Sequence, residues 1–225
     1  MDGNGRWAKA RGLPRSAGHR AGVDAARRAL EAARDNGVKA LTLYSFSTEN
    51  WRRPAAEIRD LMSLLREFIS ADLPDLKRNG VKVRIIGDRK SLDLELRALV
   101  ARAERETASN DAFLLQIAFN YGGRDEILRA ARALAEDAAA GRIDPSAITE
   151  ESFARRLDTG EAPDPDLVIR TSGEKRTSNF LIWQAAYAEY FFPDVLWPDF
   201  DANAFGAAVA EYFRRERRYG GVGGA

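Results

Sequence analysis

Three short apolar runs decide what this chain can become: residues 40–46 (ALTLYSF), 81–86 (VKVRII) and 113–119 (FLLQIAF). Each is too short for a buried helix and is rich in β-branched or aromatic residues, so each predicts a strand. Helix-period segments separate them. Helices are expected over 21–35, closed by Asn36-Gly37, over 55–78 with an interruption near Pro74, over 91–108 and over 125–140. Residues 149–157 predict a short helix opened by Thr149, and 167–170 a short strand. Residues 180–188 read as helical, 189–196 hold a last strand, and 202–218 form the final helix. Strands alternating with helices predict an α/β fold, one domain with a mostly parallel central sheet flanked by helices. The helix over 55–78 has an apolar stripe wider than packing on a sheet needs, which suits a wall of ordinary core or of an apolar tunnel.

In open parallel sheets ligands bind at the carboxyl ends of strands, and polar clusters stand there. Ser47, Thr48, Glu49, Asn50, Trp51 and Arg53 follow the first strand, and Asn120-Tyr121-Gly122-Gly123-Arg124 the third. Arg170 to Ser178 follows the short strand, with Arg176, Thr177 and Ser178 among its residues. The opening stretch, Asp2-Gly3-Asn4-Gly5-Arg6-Trp7, reads as a loop, with glycines that let the backbone approach an anion and an acid that suits a hard cation. Arg6, Arg15, Arg53, Arg170 and Arg176 are more guanidinia than one phosphate needs, which suggests two diphosphates. His19 is the only histidine and a phosphate donor or a core group; Asp2 and Glu189 are candidate metal ligands.

The 225 residues carry 35 basic and 34 acidic side chains, so bulk charge does not suit a nucleic-acid partner. Cysteine is absent, which removes disulfides and thiolate chemistry and suits a cytoplasmic location. No apolar run reaches transmembrane length. Gly3-Asn4-Gly5-Arg6-Trp7-Ala8 also fits G-x-G-x-x-A, which leaves a dinucleotide-dependent oxidoreductase as an alternative.

Five blocks in order then carry a resemblance: MDGNGRWA, RxxGHxxG over 15–22, LTLYSFSTENWRRP, IRTSGEKRTSNF and YFFPDVLWPDF. Together they resemble the cis-prenyltransferases. The resemblance implies a homodimeric, Mg²⁺-dependent enzyme that extends an allylic diphosphate, typically farnesyl diphosphate, with isopentenyl diphosphate. The product would be a long polyprenyl diphosphate such as the undecaprenyl cell-wall carrier precursor, released by transient membrane contact without a transmembrane segment.

It also implies roles. Asp2 would be the catalytic aspartate handling Mg²⁺, and Asn50 a group at the proton-accepting position. Gly3, Asn4, Gly5, Arg6, Trp7, Arg15 and His19 would bind the allylic diphosphate, and Ser47, Thr48, Glu49, Trp51 and Arg53 would contact substrate. Arg170, Arg176, Thr177 and Ser178 would take isopentenyl diphosphate with Glu189 as its metal ligand, and Arg218 and Gly220 would complete the partner's site. The catalytic domain would span 1–219 and the Gly-rich tail 220–225. A non-catalytic partner subunit of the same family should lack these charged positions, and here they are present. Phe113 is bulky enough to cap a tunnel and shorten the product. The family places an apolar strand immediately before the aspartate, which this sequence does not include. The chain as given is therefore expected to fold poorly or turn over weakly.

Overall fold

The computed structural model describes residues 1–160 and 162–216. They form two compact units. Of the described residues, the first comprises 1–37, 164–176 and 184–216; the second comprises Val38–Pro163 and Thr177–Trp183.

In the second unit, β1 (Ala40–Ser47), β2 (Val81–Ile86) and β3 (Phe113–Tyr121) form a parallel sheet in the order β1-β3-β2. The central place of β3 explains its nearly unbroken apolar run, since a strand covered on both faces has no solvent side to encode. Leu43 pairs with Ile117 and Ile85 with Ile117, which stacks one buried apolar row across all three strands. Helix α3 (Ala55–Arg78) packs on β2 and on α4 (Leu94–Glu106). Pro74 does not interrupt α3, because buried Phe68, Ile69, Leu73 and Leu76 anchor the helix on both sides of the missing N–H. Helix α5 (Gly123–Ala139) follows β3 directly, and α6 (Glu150–Ala154) opens on a Thr149–Ser152 capping box.

Helix α4 begins later than the expected residue 91, because Asp93 caps it. Its Oδ1 accepts from the Leu96 N–H at 2.8 Å, and Arg66 pairs with the other oxygen. The backbone donor, then Arg66, hold the Asp93 carboxyl below its usual 3.8. Asp93→Ala is expected to cost about 1 kcal/mol in a urea melt. The depressed native pKa fixes the sign: the carboxylate's contribution is complete above the ordinary value and is lost as pH falls through the lower native one. A wild-type-minus-variant stability difference that does not shrink on acidification would contradict this assignment.

In the first unit, α1 (Asn4–Ala10) packs on α2 (Arg15–Asp35), and α2 packs on α7 (Ala202–Arg214). Strands β4 (Leu167–Ile169) and β5 (Glu189–Phe191) form a two-stranded parallel ladder. Trp197 closes the core by donating its indole N–H to the Gly22 carbonyl at 2.8 Å and lying over Phe200.

Two further expectations are corrected. The opening stretch is helical from Asn4, not a loop. Gly3 takes the left-handed conformation, φ 112°, that starts the helix, and the Trp7 N–H closes the first turn on the Gly3 carbonyl at 2.8 Å. Helix α1 can lie close to α2 because Gly18 and Gly22 of α2 offer no side chain. A Cβ at Gly18 would stand 2.1 Å from the Asn4 carbonyl oxygen. Residues 180–188 are not helical. Ser178, Asn179 and Leu181 all hold positive φ, which breaks the helical path, and turns follow to Ala188. Among the described residues α7 ends at Arg214; Arg218 and Gly220 lie outside them.

Candidate active site

The candidate residues fall into one cluster in each unit. In the first, Asp2 is fixed through its main chain. Its carbonyl accepts from Thr171 Oγ1 at 2.9 Å, Ser172 Oγ at 2.7 Å and the Trp197 N–H at 2.9 Å. Its own N–H donates to Thr171 Oγ1 at 3.2 Å. These bonds leave the carboxylate to other work. Asp2 Oδ2 takes the Arg170 guanidinium side-on, from Nε at 2.9 Å and Nη2 at 2.7 Å. Arg170 also donates through Nη1 to the Arg176 carbonyl, which folds the loop after β4 back on itself.

Glu174 stands between two further arginines. Arg6 reaches it at 3.0 Å and Arg176 pairs with its other oxygen. Arg6 also donates to the Ser172 carbonyl at 3.4 Å. Three guanidinia, two carboxylates and two hydroxyls therefore share one strand-end loop and the start of α1. Trp7 donates its indole N–H to Asp199 at 2.7 Å, with Arg11 stacked 4.2 Å over its ring.

Gly3 and Gly5 both make room for neighbouring side chains. A Cβ at Gly3 would meet Ser172 Oγ at 2.4 Å, so Gly3 admits the hydroxyl that holds Asp2. Gly5 makes room for the Arg15 guanidinium. His19 is buried on α2, and so is the side-chain oxygen of Asn4, which has no hydrogen-bond partner among the described residues. Glu189 opens β5 and pairs with Arg215 at 2.8 Å. No group of three or more His, Cys, Asp or Glu side chains gathers among the described residues.

In the second unit, Thr48–Arg52 form a 3₁₀ turn at the exit of β1. Asn50 Oδ1 accepts from the Ser47 N–H at 3.0 Å. One of its two lone pairs is thus engaged in holding the turn. Glu49 accepts from Thr48 Oγ1 at 3.3 Å and from Asn179 Nδ2 at 2.9 Å. Partial burial works against the charge, but these donors, Ser47 and the turn's own backbone outweigh it and hold the Glu49 carboxyl below its ordinary value. Arg53 pairs with the buried Glu57 at 2.7 Å. Thr177 and Ser178 open the segment in which Asn179 accepts from the Arg124 N–H at 2.8 Å.

Several residues that build the clusters carry no mark in the sequence reading. Thr171 and Ser172 stand inside the quoted loop, but nothing in a linear pattern says that their hydroxyls meet the carbonyl of Asp2. Glu174 is one acid among 34. Asn179 bridges to Glu49 across 130 residues.

In the first unit arginines and carboxylates crowd one strand-end loop, a donor set that suits phosphate groups. The family model described as "Putative undecaprenyl diphosphate synthase" matches residues 1–220. The isoprenyl transferase of Brucella suis biovar 1 is 58% identical over 99% of this chain and 87% of its own length. That of Agrobacterium fabrum is 56% identical, over 99% and 90%. The crystal structure of lavandulyl diphosphate synthase from Lavandula x intermedia in complex with dimethylallyl diphosphate superposes with a TM-score of 0.94. It is 33% identical and covers 98% of this chain and 95% of its own. The chain belongs to the undecaprenyl diphosphate synthase family of prenyl-transferring enzymes. It is a transferase, and neither the dinucleotide-dependent oxidoreductase nor the non-catalytic subunit finds support in these matches.

Proposed function

We propose that the protein condenses isopentenyl diphosphate onto an allylic diphosphate, farnesyl diphosphate in the first instance, to build a long polyprenyl diphosphate such as undecaprenyl diphosphate. The observation that carries this reading is the Asp2 carboxylate set against Arg170, with Arg6 and Arg176 sharing Glu174 beside it. Incoming diphosphates carry more negative charge than these carboxylates and can take over their guanidinia in the same forked geometry. Arg6, Arg15, Arg170 and Arg176 then hold the two diphosphates, and the strand-end turn over Ser47–Arg53 contacts the prenyl groups.

The residues fit Mg²⁺. This ion keeps most of its water and binds through one or two carboxylates plus substrate phosphates, so no preformed acidic cage is needed. Asp2 would hold it, with Glu189 as the second carboxylate. When bound it would neutralise charge that develops on the departing diphosphate. The chain's own contribution is to orient: the guanidinia of the first unit fix the leaving group.

Asn50 supports this as an orienting group, since its oxygen already accepts from Ser47. Asn50→Asp retains that acceptor and is expected to add no new acidic limb to the pH–rate profile. A gain in turnover accompanied by such a limb would show that proton acceptance happens at this position. Phe113 opens β3 opposite Val81 and is buried. Phe113→Ala is expected to lengthen the products; an unchanged product ladder would remove Phe113 from length control.

Exposed Leu128, Ile148, Ile182 and Trp183 in the second unit suit burial in a homodimer. No helix among the described residues is long and apolar enough to cross a membrane. That suits a cytoplasmic enzyme which meets the bilayer only to release product. The deciding experiment is incubation with farnesyl diphosphate, labelled isopentenyl diphosphate and Mg²⁺, with the product sized by chromatography. Formation of a polyprenyl ladder supports the reading, and recovery of unextended substrate at all enzyme concentrations refutes it.

A further inference from the structure

Asn120, in the second unit, is buried and polar, and no role above uses it. Phe46 pairs with Phe119 and Ser47 with Tyr121, so Asn120 is an extra residue bulged out of β3. It is 2% exposed and holds φ +51°, a conformation that asparagine tolerates better than most residues. The bulge turns its side chain between two partners. Nδ2 donates to the Asp88 carbonyl at 2.7 Å, and Oδ1 accepts from the Trp51 indole N–H at 2.7 Å. The amide has only one orientation that satisfies both, because an indole N–H can only donate and a carbonyl can only accept. The Asn120 carbonyl in turn accepts from the Asp88 N–H at 3.0 Å, closing a ring with the β2 exit. Gly87 permits that approach, since a Cβ there would stand 2.2 Å from the Phe119 carbonyl oxygen.

Trp51 is therefore held at two points. Its N–H is tied to Asn120, and its ring stands edge-on to Phe46 at 5.4 Å between centroids. The rest of the indole is open, 40% exposed, on the turn that also carries Asn50. We propose that Asn120 is a positioning residue for prenyl transfer. By fixing the indole plane of Trp51 it presents an aromatic face to the prenyl group, where positive charge develops as the allylic bond breaks. The bulge is thus the device that carries the rigidity of the sheet into a side chain on the turn. Asn120 acts only through Trp51 and touches no reacting atom.

This inference rests on the prenyl-transfer reading, and its test separates the two. Asn120→Gly keeps the positive φ accessible but removes both side-chain bonds. Trp51→Phe removes the indole donor and keeps a ring. Each is expected to lower kcat about tenfold while KM for the allylic diphosphate moves less than about threefold, because a misplaced wall disturbs alignment more than diphosphate binding. The double variant should be no worse than the poorer single one, because both break the same contact. The emission of Trp51, isolated as wild type minus Trp51→Phe, should shift in Asn120→Gly. Multiplying losses, normal kcat in Asn120→Gly or an unmoved Trp51 emission would each overturn the proposal.

If Asn120→Gly loses its cooperative melt, Asn120→Asp carries the test. Its carboxylate still accepts from the indole but cannot donate to Asp88. Trp51 emission should hold, with a smaller kcat loss than in Trp51→Phe; an equal loss with unmoved emission overturns the proposal. Wild-type protein that makes no polyprenyl product overturns the prenyl-transfer reading and this one with it, whereas active wild type with an indifferent Asn120→Gly overturns this one alone.

Discussion

Asp2→Asn is expected to lower turnover by at least about a thousandfold, the scale of losing a principal electrostatic group in a site of this kind, while leaving the fold in place. The two halves of that expectation come from different atoms. Asp2 is positioned through its main chain, by Thr171, Ser172 and Trp197, and asparagine keeps all of those bonds. The carboxylate's pairing with Arg170 is lost, but Asp2 is 43% exposed there, and a pair so open to water contributes about 1 kcal/mol or less. Turnover depends on the charge itself, which asparagine lacks and which a divalent cation needs. The measurement pairs a urea melt with initial rates over a Mg²⁺ titration. An Asp2→Asn enzyme with more than about a tenth of wild-type kcat would remove Asp2 from the catalytic centre, since a group of this kind is worth far more than that.

The largest effect on stability is expected at Glu126, in the first turn of α5. It is 1% exposed. Tyr121 donates its hydroxyl to Glu126 Oε1, and the Asp158 N–H donates to Oε2 at 3.0 Å. Burial, then the neighbouring Glu126 charge, pushes the Tyr121 phenol far up, so it remains a donor at any ordinary pH. The carboxylate thereby ties the end of β3 to α5 and to the segment at Asp158, which Arg129 grips with bonds of 2.7 and 2.6 Å. Glu126→Ala strands the buried Tyr121 hydroxyl and the half-buried Asp158 N–H at about 1–3 kcal/mol each, so a loss of about 3 kcal/mol is expected. Glu126→Gln keeps an acceptor for one of them and should fall between. A urea melt gives the totals, and hydrogen exchange at the Asp158 amide should report the local part. A Glu126→Ala loss below about 1 kcal/mol would mean that water replaces the carboxylate there.

How far the sequence carried the reading follows from what is local and what is not. The three strands of the second unit were legible because each apolar run is bounded by polar turns, and α3 because its periodicity outweighs one proline. The opening stretch misled. Two glycines among polar residues argue for a loop by propensity. What makes α1 a helix is the groove that Gly18 and Gly22 open on α2, a partner more than ten residues away. Residues 180–188 misled for the opposite reason. Their composition tolerates a helix, but the Asn179 carbonyl accepts from Gly123 at 2.8 Å and its side chain from Arg124, which fixes a left-handed path.

The sequence by itself determined the parallel α/β class, the family and the chemical types at the site, because long blocks in register specify a family and arginines in glycine- and hydroxyl-rich loops specify anions. Only the tertiary structure decided the pairings: which hydroxyls hold Asp2, which acid shares Arg6 with Arg176, and that Asn50 and Asn120 spend their amides on a turn and an indole. The physical reason is one of range. Hydrophobic period and turn chemistry act within a few residues, whereas a hydrogen bond is set by positions to within a few tenths of an ångström. Segments as distant in sequence as Asp2 and Arg170 reach that accuracy only after the chain has packed.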